Sequence, residues 1–84
     1  MIFLIEYHRA EGRIVTFKTF ADSDRSMAER TRLQIELELN RKHIDHEIVL
    51  LQAATEEALR RTHRRYFENP SQLLSTSSRD DEPT

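Results

Sequence analysis

The chain has 84 residues, a formal net charge of −2 and no cysteine. This composition limits it to one small domain and excludes disulfides, thiolate zinc sites and a cysteine nucleophile. The N-terminal apolar run is interrupted at Glu6, whereas a secretory leader needs an apolar stretch of about 7–15 residues and a membrane span needs about 18. We therefore expect a soluble cytoplasmic protein without a membrane segment.

The first predicted element is a β-hairpin. Residues 2–9 and 13–21 are rich in β-branched and aromatic side chains, and Gly12, the only glycine of the chain, lies between them. Two such runs joined by a short loop that contains glycine are typical of a hairpin. Glycine is expected in this loop because it adopts the left-handed backbone conformation at low cost.

The two strands of this hairpin have one face in common. The first strand carries Phe3, Ile5 and Tyr7 on one face, and the second strand carries Val15 and Phe17 on one face. We expect these two faces to coincide and to meet the helices. The opposite face mixes apolar and polar side chains, which is typical of a sheet face that is half exposed to solvent.

Two helices and a third strand are predicted after the hairpin. Residues 24–42 contain no proline or glycine and end in basic side chains, which favours a helix. The apolar run 48–51 indicates a buried strand. Thr55 followed by two glutamates is typical of the start of a second helix, which is expected to end before Pro70.

The last sixteen residues differ in composition from the rest. Residues 69–84 are polar, lack periodicity and carry the whole excess of two negative charges, because residues 1–68 hold twelve basic and twelve acidic side chains. We therefore expect one folded domain over residues 1–68 and a disordered C-terminal tail over residues 69–84. The balanced charge of the domain gives no indication of a polyanionic partner.

This order of elements predicts an α+β fold of the form β-β-α-β-α. The first strand is apolar on both faces, and it is therefore expected at the centre of a three-stranded sheet in the order 2-1-3. The third strand would then be antiparallel to the first. Both helices are expected to cover one face of this sheet.

Residues 33–40, with the sequence LQIELELN, fit two structures. Their alternation of apolar and polar side chains is typical of a half-buried strand, but these residue types are good helix formers and no turn residue precedes them. We predict a helix. Ala28 and Ile35 then lie on one apolar stripe, and Leu33 and Leu37 form a second stripe on the far side.

The second stripe needs an explanation outside the chain's own core. One or two exposed leucines are normal on a soluble protein, but a contact with a second copy of the chain would also account for Leu33 and Leu37. Closed dimers are the commonest oligomers, and a domain of this size has a small core. We predict an interface of these two leucines with Arg30 and Arg41 at its rim. A rival surface is the mixed sheet face, which carries Ile2, Leu4 and Ile14.

Four arginines of the second helix suggest a nucleic-acid-binding surface. They fall on one side of that helix if it continues to residue 68, and they are Arg60, Arg61, Arg64 and Arg65. Glutamates lie four residues from at least three of them, which favours local ion pairs and a solvated face. A nucleic-acid-binding module is therefore the alternative function, and an acidic protein is a further candidate partner for these arginines.

The sequence contains no strong signal for catalysis or for a bound metal. His43 and His46 have a spacing found in metal sites, but a helix end and a strand start lie between them, so we expect their side chains to diverge. One glycine cannot build a phosphate-binding loop, and no Gly-x-Ser-x-Gly elbow occurs. We therefore predict a non-enzymatic protein-binding module, without metal or cofactor, that forms a homodimer.

Overall fold

The computed structural model describes residues 1–68, which form three strands and two α-helices. The strands are β1 (Ile2–His8), β2 (Arg13–Phe20) and β3 (Glu47–Gln52), and the helices are α1 (Arg25–Lys42) and α2 (Glu56–Thr62). Short 3₁₀ turns lie before α1, over Asp22–Asp24, and after α2, over Arg64–Tyr66. Neither of the helices within residues 1–68 is both long and apolar enough to cross a membrane. The predicted disordered tail, residues 69–84, lies outside the described residues.

The sheet has the strand order β2-β1-β3, and both neighbours run antiparallel to β1. This confirms the predicted α+β fold, the order of its elements and the order of its strands. β1 lies at the centre because both of its faces are apolar, and its residues from Ile2 to Ile5 are at most 1% exposed. Gly12 has a φ of 65° in the hairpin loop, and its amide donates to the carbonyl of His8 at 2.8 Å.

A β-bulge in β2 changes which side chains face the core. The register of β2 against β1 shifts between Glu6 and Tyr7, and Val15 is the additional residue. Ile14 therefore packs against the same core as Phe17, whereas Val15 lies beside Glu6 on the opposite face. The predicted grouping of Val15 with Phe17 is wrong because one extra residue reverses the alternation of the strand.

α2 and the turn that follows it cover one face of the sheet. Phe3, Ile5 and Tyr7 form a buried cluster on this face with Leu59 of α2 and with Tyr66. The rings of Tyr7 and Tyr66 meet edge to face, with 5.1 Å between their centroids. The buried aromatic side chains Phe3, Tyr7 and Tyr66 therefore meet on the face of the sheet that α2 closes.

α1 covers the opposite face. Ile2 and Leu4 alternate with the residues of that cluster and point the other way, yet they are only 1% and 0% exposed. On this face, Ile35 and Leu39 of α1 line a cleft together with Glu6. The prediction that both helices share one face is therefore wrong, because a strand that is apolar on both faces needs a cover on each. The predicted rival surface is wrong for the same reason, since Ile2 and Leu4 are buried under α1.

Candidate functional site

The outer side of α1 carries the two leucines of the second apolar stripe. Residues 33–40 are helical, as predicted, and lie within α1. Ala28 is fully buried against the sheet, whereas Leu33 and Leu37 are 51% and 58% exposed. The structure places both leucines outside the chain's own core, and their role in an interface stays a prediction.

α1 ends in a Schellman motif that brings a third apolar side chain to this region. His43 takes the left-handed conformation with a φ of 59°, and its amide donates to the carbonyl of Asn40 at 3.2 Å. The amide of Ile44 donates to the carbonyl of Leu39 at 2.9 Å, which completes the motif. Ile44 is 40% exposed and is missing from the predicted interface.

A groove of about 340 Å³ joins the outer side of α1 to β3. Its lining comes from α1, from the loop after it and from β3. It mixes the apolar side chains Leu33, Leu37, Leu39, Ile44 and Ile48 with the polar side chains Glu36, Asn40, Asp45 and His46. We define the apolar surface as the three most exposed of these apolar side chains, Leu33, Leu37 and Ile44. This surface is continuous with the strand at one edge of the sheet.

The two arginines at the predicted rim have different surroundings. Arg41 donates to Glu38 at 2.6 Å, and Lys42 binds the same carboxylate at 3.1 Å. The hydrogen bond to Glu38 raises the pKa of Arg41, and the hydrogen bonds from Arg41 and Lys42 lower the pKa of Glu38. Arg30 is exposed, and no other residue of the described range 1–68 binds its guanidinium. Arg30 is therefore the rim residue whose charge is not compensated by the described part of the chain.

The four arginines near residue 68 do not share one helix. α2 ends at Thr62, and His63 separates it from the 3₁₀ turn Arg64–Tyr66. The prediction of one continuous helix through residue 68 is therefore wrong. The break accompanies the packing of Tyr66 into the core, where its ring meets that of Tyr7.

Each of these four arginines contacts a carboxylate. The pairs are Arg60–Glu56 at 2.9 Å, Arg61–Glu57 at 4.0 Å, Arg64–Glu68 at 3.0 Å and Arg65–Glu47 at 2.7 Å. Three of them are the predicted pairs with a spacing of four residues. This compensation weakens the positive field that attracts a nucleic-acid backbone, and nucleic-acid binding stays a prediction without a structural observation in its favour.

Glu47 links β3 to the turn after α2. One of its carboxylate oxygens, Oε2, accepts hydrogen bonds from the hydroxyl of Tyr66 and from the guanidinium of Arg65, both at 2.7 Å. Burial acts to raise the pKa of Glu47, but these two hydrogen bonds outweigh it and hold the pKa below its usual value. Burial, and next the hydrogen bond to Glu47, raise the pKa of Tyr66. Its hydroxyl therefore keeps its proton and can donate at neutral pH.

We expect Glu47 to make the stability of the fold depend on pH in acid. Because its pKa is lowered in the folded state, its contribution is present above the unfolded-state pKa of about 4.3 and is lost as the pH falls through the folded-state pKa. Glu47→Gln should cost about 1 kcal/mol at neutral pH and should flatten the fall of the melting temperature between about pH 5 and pH 3. Glu57→Gln, which changes a side chain that is 85% exposed, should keep the wild-type profile. Identical profiles for Glu47→Gln and the wild type would contradict this role.

A buried polar pair lies between β1 and the loop after α1. Glu6 is 7% exposed, and its carboxylate accepts a hydrogen bond from Oγ1 of Thr16 and lies 2.7 Å from Nδ1 of His46. An ionised carboxylate can only accept, so Nδ1 carries the proton when Glu6 is ionised. The sheet face that is predicted to be half exposed can be buried because both oxygens of this carboxylate have partners.

The structure does not bring the two candidate metal ligands together. His43 lies exposed at the left-handed end of α1, whereas His46 is held by Glu6. Within residues 1–68, no three histidine or carboxylate side chains are grouped in a way that could hold a metal ion. The hydroxyl of Thr16 donates to Glu6 and not to His46, so the imidazole does not activate it as a nucleophile.

A second concave region, of about 460 Å³, lies beside the Glu6–His46 pair. Its walls are mostly apolar and come from β2, from α1 and from the loop after α1: Val15, Ile35, Leu39 and Ile44. Glu38 and Lys42 also line it, and they are paired with each other at 3.1 Å. The cleft therefore offers apolar enclosure and little uncompensated charge.

Comparisons of the chain with models of protein families, with curated proteins and with solved structures found no match. The apolar surface of α1 is the feature that the chain's own fold explains least, because its side chains contribute little to the core.

Proposed function

We propose that this chain is a non-enzymatic protein-binding module that forms a homodimer through the apolar surface of α1. The observation that carries the proposal is the exposure of Leu33 and Leu37, which lie on the same side of one helix and are each more than half exposed. Ile44 extends this surface toward β3. Arg30 and Arg41 are the rim residues of this interface: Arg30 can meet a carboxylate of the second copy, whereas Arg41 is already paired with Glu38 of its own chain.

The small contribution of α1 to the core supports self-association. α1 has 18 residues, and Ala28 alone among them is buried. Helices in proteins gain most of their stability from packing an apolar face, and a domain of this size buries only about 60% of its unfolded surface. A second copy on the outer side of α1 would add the contacts that this helix lacks.

The mass of the 84-residue chain in solution tests this proposal. Light scattering after size exclusion should give a dimer of about 20 kDa, twice the chain mass of 10.0 kDa. Leu33→Asp combined with Leu37→Asp should weaken the dimer by about a thousandfold. Both leucines are about half exposed in the single chain, so each of the four leucines in a dimer would lose about 1 kcal/mol of burial energy, or about 4 kcal/mol together.

A matched variant separates a loss of the interface from a loss of the fold. Met27 of α1 is 50% exposed but does not line the groove, so Met27→Asp should still dimerise. The circular dichroism of both variants should equal that of the wild type. Unfolding of the leucine variant would assign both leucines to the fold, and a wild type that is monomeric at every concentration would refute the homodimer.

A further inference from the structure

β3 lies at an edge of the sheet, and within residues 1–68 only β1 pairs with it. Met1 and Ala53 exchange two backbone hydrogen bonds, of 3.0 and 3.1 Å, and such pairs alternate with non-bonded pairs along an antiparallel ladder. The register between β1 and β3 continues without a shift, so the odd-numbered residues of β3 bond to β1. The amides and carbonyls that point outward therefore belong to Ile48, Leu50 and Gln52.

The two edges of the sheet differ in how well they are protected against pairing. β2 contains the bulge at Val15 and the exposed charge of Lys18, and both are devices that discourage pairing at an edge. β3 has no bulge, no lysine and no proline. Its single charge is at Glu47, which is turned toward Tyr66. The outer edge of β3 is therefore the better template for another strand.

The outer edge of β3 adjoins the apolar surface of α1. Ile48, the first of the three outward residues, lines the same groove as Leu33, Leu37 and Ile44. A molecule that covers the apolar surface therefore also reaches the edge strand. The two features form one continuous surface, in which backbone hydrogen bonding adds to apolar contact.

We propose that β3 pairs antiparallel with β3 of a second copy about a two-fold axis at Leu50, which joins the two three-stranded sheets into one. This inference rests on the proposed homodimer and names its geometry. Ile48 would lie opposite Gln52 of the second copy, and Leu50 opposite its own counterpart, so each outward residue meets another outward residue.

A second copy fits this edge better than an unrelated chain. The three outward residues are spaced evenly around Leu50, so a two-fold axis pairs the whole set with itself. The segment from Ile48 to Gln52 carries no charge, so self-pairing brings no like charges opposite each other. The antiparallel arrangement also brings the apolar surfaces of both copies to the same face of the joined sheet.

Amide hydrogen exchange of the 84-residue chain, measured by NMR at concentrations that favour monomer and dimer, tests the pairing. The amides of Ile48, Leu50 and Gln52 should exchange about tenfold or more slowly in the dimer than in the monomer. A dimer in which the Leu50 amide exchanges as fast as in the monomer would overturn the pairing and leave the homodimer through α1 intact. A chain that is monomeric at every concentration would overturn both the pairing and the homodimer, even if the Leu50 amide is protected in that monomer.

Two substitutions at Gln52 isolate the outward hydrogen bond. Gln52→Pro removes an N–H that β1 does not use, and proline is compatible with the exposed side of an edge strand. Gln52→Ala also removes the side chain, which accepts a hydrogen bond from Arg25 at 2.8 Å, but it keeps the N–H. Gln52→Pro should weaken the dimer by about tenfold or more, whereas Gln52→Ala should dimerise like the wild type. Equal dimerisation of the two variants would overturn the pairing, and if Gln52→Pro does not fold, the exchange experiment on the wild type decides.

Discussion

Replacing Leu59 with alanine should lower the free energy of unfolding by about 3 kcal/mol. Leu59 is the buried side chain of α2, and it packs against Phe3 and Ile5 on one face of the sheet. Alanine would leave a cavity under a helix of seven residues, which is too short to be stable without that contact. Chemical denaturation followed by circular dichroism measures the loss.

Two further alanine variants serve as controls for Leu59→Ala, one at an exposed position and one at a buried position on the opposite face. Met27→Ala changes a side chain that is 50% exposed, and it should alter the free energy of unfolding by less than about 0.5 kcal/mol. Leu4→Ala removes a side chain that is 0% exposed on the opposite face, and it should cost about as much as Leu59→Ala, about 3 kcal/mol. A small loss for one of the two buried leucines would contradict a sheet that is covered on both faces.

The sheet could be predicted because its signals are local. The order of the strands follows from the run Ile2 to Ile5 of β1, which is apolar on both faces, as is typical of a strand at the centre of a sheet. Gly12 marks the hairpin loop through its positive φ. Thr55 marks the start of α2, where its hydroxyl accepts from the amide of Ala58 at 3.0 Å. Each of these signals lies within a few residues of the feature that it predicts.

The placement of the helices could not be predicted in the same way. The polar side chains of Glu6 and His8 make one face of β1 resemble a solvated face. The partner that allows Glu6 to be buried, His46, lies 40 residues further along the chain, and no local pattern connects the two. The bulge at Val15 could not be predicted from local sequence either, because it is defined by the pairing of β2 with β1.

The candidate site was predictable only where helical periodicity applies. The spacing of Leu33 and Leu37 predicts that they face away from Ala28, and both are more than half exposed. Ile44 lies beyond the end of α1, where this periodicity no longer holds. The signal that could have identified it is the Schellman motif, in which the residue after the left-handed cap contacts the last turn of the helix, here Leu39.

Glu6→Ala should destabilise the fold by about 2–3 kcal/mol, because it leaves two partly buried polar groups without their acceptor. The carboxylate of Glu6 binds Oγ1 of Thr16 and lies 2.7 Å from Nδ1 of His46, whose side chain is only 12% exposed. Alanine cannot accept either hydrogen bond, so Oγ1 of Thr16 and Nδ1 of His46 both lose their acceptor within the protein. Chemical denaturation at neutral pH measures this loss.

A double-mutant cycle with His46→Ala tests whether the pair acts as a unit. Removing both side chains should cost about 1 kcal/mol less than the sum of the two single losses, because the second substitution removes a group that the first has left unpaired. Strictly additive losses would contradict the pairing. Glu6→Gln should lie between the wild type and Glu6→Ala, since the amide oxygen can still accept one of the two hydrogen bonds.

The same pair bears on the apolar surface of α1. His46 follows the loop that contains Ile44, and Glu6 holds this loop against the centre of the sheet. Loss of the pair should therefore loosen the loop. The dimer should weaken even under conditions in which the Glu6→Ala variant remains folded. Met27→Ala again serves as the control, because it touches neither the loop nor the pair. Light scattering compares the dimer fractions of Glu6→Ala and Met27→Ala under conditions in which both variants are folded. An unchanged dimer fraction of Glu6→Ala would show that the loop does not depend on the pair.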